Sequence, residues 1–128
     1  MTGTIERLAA PSKGRTTTLW VLRALVGLAF LAAGGAKLAG APPMVAIFAV
    51  IGVGQWFRIL TGVLEVAGAL GLFIPRATFY AALLLAGVMA WAVGFHLVML
   101  GGNPVPALVL LLLSGAIAWL SRGSRSAN

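Results

Sequence analysis

Residues 19–38 hold twenty consecutive positions of which only Arg23 and Lys37 are charged. About 20 apolar residues is the length an α-helix needs to cross a hydrocarbon core roughly 30 Å thick. Three more such runs follow, at 55–74, 78–100 and 105–120. Pro75 with Arg76 separates the second from the third, and Gly101, Gly102, Asn103 and Pro104 form a turn before the fourth. Residues 41–54 are apolar but too short to cross. Pro42 and Pro43 at their start and Gly52 and Gly54 at their end predict a short interfacial or re-entrant helix. The pattern predicts an all-α membrane protein: a four-transmembrane-helix bundle at 19–121, between polar tails at 1–18 and 122–128. Ala39, Gly40 and Ala41 imitate a signal-peptidase site, but the preceding run is long for a signal sequence and reads as a span.

Composition supports lipid as the solvent. The chain is 61% hydrophobic and 9% charged, against about a quarter charged in soluble domains. Its net charge of +7 would suggest nucleic acid in a soluble protein. Here the cations flank apolar runs, with no basic stripe interleaved with aromatics, so no nucleic-acid partner is expected. The absence of cysteine excludes thiolate catalysis, disulfide exchange and cysteine-ligated metal. One His and two acids do not suggest a self-contained metal site. Redox chemistry would require a bound cofactor or a partner protein.

Charge placement predicts orientation. With the N-terminus inside, Arg7, Lys13, Arg15, Arg23, Arg76, Arg122 and Arg125 fall on the inner side, and only Lys37 and Arg58 on the outer. This bias predicts that both termini are cytoplasmic. The same topology brings Lys37, Arg58, Glu65 and His96 into the outer half.

Glu65 is the sharpest signal, because an acid at mid-span costs roughly 2.5–3.5 kcal/mol to insert. It reads either as a functional group or as a structural ion pair joining two helices. Arg58 precedes it by nearly two turns, so the two share a face about 10 Å apart along the axis. There they could meet, share a ligand or water, or leave Arg58 snorkelling. Thr61, Gly62, Gly68 and Ala69 complete a small face that should point at other helices. Arg23, Gly27, Phe30, Gly34 and Lys37 likewise share one side of the first helix. Lys37 reads as an interface anchor or a site amine, and Arg23 as a snorkelling side chain. His96 reads as a packing residue, proton carrier, quinone-oxygen donor or haem ligand. Ala82, Ala86, Ala90 and Gly94 form a small-residue seam expected to pack against another helix. Trp91 lies deep enough to line a cavity.

The order of these elements carries a resemblance. Leu22-Arg23, Gly27-Leu28 and Gly34 with Lys37-Leu38 are followed by Ile51-Gly52, by Gly62 with Glu65 and Gly68, by Pro75, and by His96. Over roughly residues 22–113 the chain resembles the DoxX family of small four-helix membrane proteins. That resemblance implies an inner-membrane protein often linked to redox systems: thiosulfate and quinone oxidation, or complexes handling oxidative stress and thiols. It leads to an expected accessory component of a membrane oxidoreductase system. Lys37, Arg58, Glu65 and His96 would hold a polar headgroup, plausibly a quinone, with Arg58 and His96 donating hydrogen bonds and Glu65 exchanging a proton or fixing Arg58. Two alternatives stand beside it. One is a purely structural small subunit packed against a membrane partner or its own copies. The other is a membrane enzyme or proton-coupled carrier that uses Glu65 and His96.

Overall fold

The structure, a computed structural model, describes residues 13–122. The chain ends, with Arg7 and Arg125 of the inner charge set and the outer parts of both tails, lie outside them. Among the described residues it is entirely helical: α1 (Lys13–Ala39), α2 (Pro42–Ile51), α3 (Gln55–Leu72), α4 (Thr78–Phe95) and α5 (Val105–Ser121). A wide π-helical turn, His96–Leu100, extends α4.

Helix boundaries follow local chemistry. α1 begins at Lys13, six residues ahead of its apolar run. It ends in a Schellman motif. Gly40 takes a left-handed φ of 72°, its N–H donates to Lys37 O, and the Ala41 N–H donates to Ala36 O at 3.0 Å. Pro42 and Pro43 occupy the first positions of α2, where the missing N–H costs nothing. Gly52, again left-handed, ends α2, and α3 leaves at 118° to it. This confirms the short helix expected between the first two long ones. Thr78 opens α4 with its hydroxyl donating to Ile74 O at 2.9 Å. Asn103 Oδ1 accepts from the Val105 N–H to start α5.

The four longer helices pack in a ring, α1 on α3, α3 on α4, α4 on α5 and α5 back on α1. Phe30, Leu72, Leu85 and Ile117 are fully buried at its centre. Leu28, Leu70, Leu83, Val98 and Leu112 lie on the outside, each more than about half exposed or close to it. Such a continuous apolar exterior is incompatible with water and suits acyl chains. α1 and α4 with its extension are each long and apolar enough to span a membrane. α2 and α3 meet that criterion only as a bent pair, and α5, at 17 residues, is shorter. α3 falls below it alone because it carries Gln55, Arg58, Thr61 and Glu65.

The stripes expected on α1 and α3 are buried against each other. Arg23, Gly27, Phe30 and Gly34 face inward, as do Thr61, Gly62, Glu65, Gly68 and Ala69. Two expectations are corrected. Arg23 does not snorkel: it is 4% exposed, its guanidinium lies 4.3 Å from the Trp20 ring, and its Nε finds no hydrogen-bond partner among the described residues. The alanine seam of α4 packs only at Ala82, while Ala90 and Gly94 face outward. Four-residue steps rotate about 40° each around a 3.6-residue helix, so the row drifts off the core within three steps. The buried line instead runs Thr78, Ala82, Leu85, Met89.

Gly34 sets the α1–α3 distance. A Cβ there would lie 2.9 Å from Gly62 O and 2.8 Å from Val66 Cγ2, whereas a Cβ on neighbouring Gly35 meets nothing within 4 Å. Gly34→Ala should therefore cost about 1–3 kcal/mol through overpacking. Gly35→Ala should be neutral or stabilising by up to about 1 kcal/mol. Equilibrium unfolding of the two variants in mixed micelles checks the contrast.

Candidate functional site

At the end of the bundle where α1 stops, polar side chains from three helices converge on a cavity. Glu65, near the middle of α3, is 1% exposed, and Lys37 Nζ lies 2.7 Å from its Oε1. Lys37 sits in the last turn of α1, where a cation is favoured by the helix dipole. The close approach at Gly34 and Gly62 brings it level with Glu65. A buried pair such as this holds its helices in register, because each charge is stranded without the other. Oε1 accepts no well-directed hydrogen bond, so the contact is an ion pair that leaves lone pairs over.

Arg58 makes a different set of bonds. Its Nη1 donates to the Lys37 backbone carbonyl, and its Nε donates to Gln55 Oε1 at 2.8 Å. Gln55 Nε2 in turn donates to Val45 O in α2 at 3.1 Å. Arg58 thus caps the end of α1 and, through Gln55, ties α2 to it. The expected partnership of Glu65 with Arg58 is corrected: the carboxylate pairs with Lys37. Nearly two axial turns is too long for the two α3 side chains to close, whereas the α1 terminus passes between them.

The cavity, of about 250 Å³, lies beside the ion pair. Lys37, Glu65, Thr61 and His96 contribute its polar wall. Met44, Ile47, Phe48 and Ile51 of α2 cover one side, Met89, Trp91 and Phe95 of α4 another, and Pro106, Ala107 and Leu110 of α5 close it. Arg58 is not on this wall. Phe57, Trp91 and Phe95 form an aromatic cluster, with ring centroids 4.6 Å apart for Phe57–Trp91 and 3.9 Å for Trp91–Phe95. His96 stands at the junction of α4 and its π turn, with Nδ1 2.9 Å from Ala92 O. Such wide turns recur at functional sites. The space exceeds the roughly 150 Å³ that admits a benzene ring in an apolar core, so it accommodates one substituted ring or a branched chain.

Of the four residues singled out from sequence, then, Lys37, Glu65 and His96 share the cavity and Arg58 stands behind it. Trp91 lines it as expected. Sequence reasoning did not reach Met44, Phe48 and Ile51, or the link made by Gln55. α2 reads as a plain apolar run, and nothing in it signals which neighbours it covers. Pro42, Pro43 and the two glycines that turn the chain back were the available clue.

Removal of one partner from the ion pair should be far costlier than removal of both. Lys37→Met is expected to destabilise the protein by about 3–5 kcal/mol, and Lys37→Met with Glu65→Leu to recover most of that loss. Unfolding of single and double variants in detergent, read as a double-mutant cycle, measures the difference.

Comparison with known proteins places the chain in a family. A family profile described as the DoxX-like family matches residues 21–121. No match was found among curated proteins or among solved structures. The matched segment runs from the first apolar run through the end of α5 and contains every residue of the cavity wall: the chain belongs to the DoxX-like family.

Proposed function

We propose that this protein is an accessory component of a membrane oxidoreductase system, and that its cavity binds a lipophilic molecule with a polar head, such as a quinone. The observation that carries this reading is the cavity itself. An apolar and aromatic chamber with a few convergent polar groups is the usual form of a small-molecule site. This one sets a buried ion pair and an imidazole at one edge of aliphatic and aromatic walls. Lipophilic ligands reach such a chamber laterally from the bilayer, without crossing water. The polar groups are otherwise expensive to bury, and a ligand head offers them partners.

The working topology has four crossings, by α1, α3, α4 and α5, with both termini cytoplasmic and α2 at the outer interface. The charge bias along the sequence supports it. The chain has no native cysteine, so single-cysteine variants carry no background. Val53→Cys and Gly102→Cys should react with an impermeant maleimide from the outer side, and Ala77→Cys only after permeabilisation. The reverse pattern would invert the orientation.

The second reading is a structural subunit. The Lys37–Glu65 pair supports it, since the pair joins α1 to α3 whether or not anything binds beside it. Mass spectrometry of small molecules extracted from gently purified protein separates the two. An isoprenoid quinone present in wild type, and depleted at least tenfold in both Glu65→Gln and the cavity-filling Ala92→Phe, supports a binding site. A wild type that arrives empty with a stoichiometric membrane partner makes the protein a subunit.

A further inference from the structure

The hydrogen bonds that the cavity's polar groups already make determine what they have left to offer. His96 Nδ1 lies 2.9 Å from the Ala92 carbonyl oxygen. A carbonyl accepts only, so Nδ1 carries the proton. In a neutral imidazole the other nitrogen then presents a lone pair, and Nε2 is an acceptor. Among the described residues the hydrogen bond of this ring runs through Nδ1 to its own helix. The Thr61 hydroxyl hydrogen goes to Phe57 O at 2.8 Å, which leaves Thr61 Oγ1 with lone pairs alone. The Glu65 carboxylate is acceptor-only in its ion pair with Lys37. Against these three acceptors stand two donor groups, the Lys37 ammonium, which already faces Glu65, and the indole N–H of Trp91 on the same wall. The Arg58 guanidinium, a strong donor set, is turned away onto Gln55 and the Lys37 carbonyl. Arg58, expected to donate to a bound headgroup, stands off the cavity wall, and on this reading His96 accepts instead.

We infer that the cavity selects a ligand that donates hydroxyl hydrogens, a hydroquinone or other phenol, over a headgroup that carries carbonyl oxygens alone. The inference rests on the reading that the cavity is a ligand site and names the form that site takes. A quinone oxygen brought to His96 sets lone pair against lone pair, and the His96 and Thr61 acceptors that the ligand shuts off from solvent stay unsatisfied. A hydroquinone gives one hydroxyl hydrogen to His96 Nε2 or Thr61 Oγ1 and accepts from Lys37 with an oxygen. The apolar walls fit either form equally, so the difference between the two falls on those hydroxyls.

Anaerobic equilibrium dialysis of the full-length protein in detergent tests it, with a benzoquinone bearing a single isoprene unit and its chemically reduced hydroquinone as probes. The hydroquinone should bind roughly tenfold more tightly, the equivalent of one or two net hydrogen bonds. His96→Phe, which keeps a ring but removes the acceptor, should weaken hydroquinone binding and leave quinone binding within about twofold. Thr61→Val, close to it in shape, is the second variant and should erode the preference in the same direction should His96→Phe fail to assemble. Equal binding of the two forms, or tighter binding of the quinone, would overturn the hydroxyl selection and leave the binding site standing. Failure of both forms to bind would overturn the site reading and this inference with it.

Discussion

Glu65 is buried almost completely in a helix bundle with an apolar exterior, and the Lys37 ammonium is the cation that answers it. A carboxylate in such surroundings is tolerable only with a counter-charge at contact distance. That requirement propagates outward. Lys37 has to end α1 at the level of Glu65, and the Gly34–Gly62 contact is what lets the two backbones come close enough. The chain must then turn sharply after Lys37, which the left-handed Gly40 permits. The carbonyl that α1 leaves at its end is taken by Arg58 from the first turn of α3.

α2 follows from the same arrangement. With α1 terminated below the edge of the bundle, a gap opens between α1, α3 and the end of α4. The apolar decapeptide of α2, turned by 118° from α3, lies over that gap instead of crossing. Gln55 ties it down through Val45 O. The result is a partly open chamber whose walls are apolar and whose polar groups are mostly acceptors. The chemistry available there is therefore set less by which polar residues are present than by which hydrogens they have already committed.

Much of this was legible in the sequence. The length of the apolar runs announced helices in lipid, and the buried stripe Arg23, Gly27, Phe30, Gly34, Lys37 was readable because residues three and four apart share a helix face. The same logic marked Thr61, Gly62, Glu65 and Gly68 as an inward face. It misled at Ala90 and Gly94, because a strict four-residue spacing winds away from a 3.6-residue helix. It also misread Arg23, because a basic residue one turn inside an apolar run looks the same whether its side chain reaches for water or lies over Trp20.

The sequence by itself determined that this is a membrane-embedded helical protein, which helices carry ionisable groups, and on which faces. Those are consequences of composition and periodicity, properties of each segment taken alone. The tertiary structure alone decided that Glu65 meets Lys37 and not Arg58, and that α2 covers a cavity whose wall includes His96. Each of these depends on the rotation and depth of one helix against another. A few ångströms of axial offset, invisible in any one segment, separate an ion pair from two stranded charges.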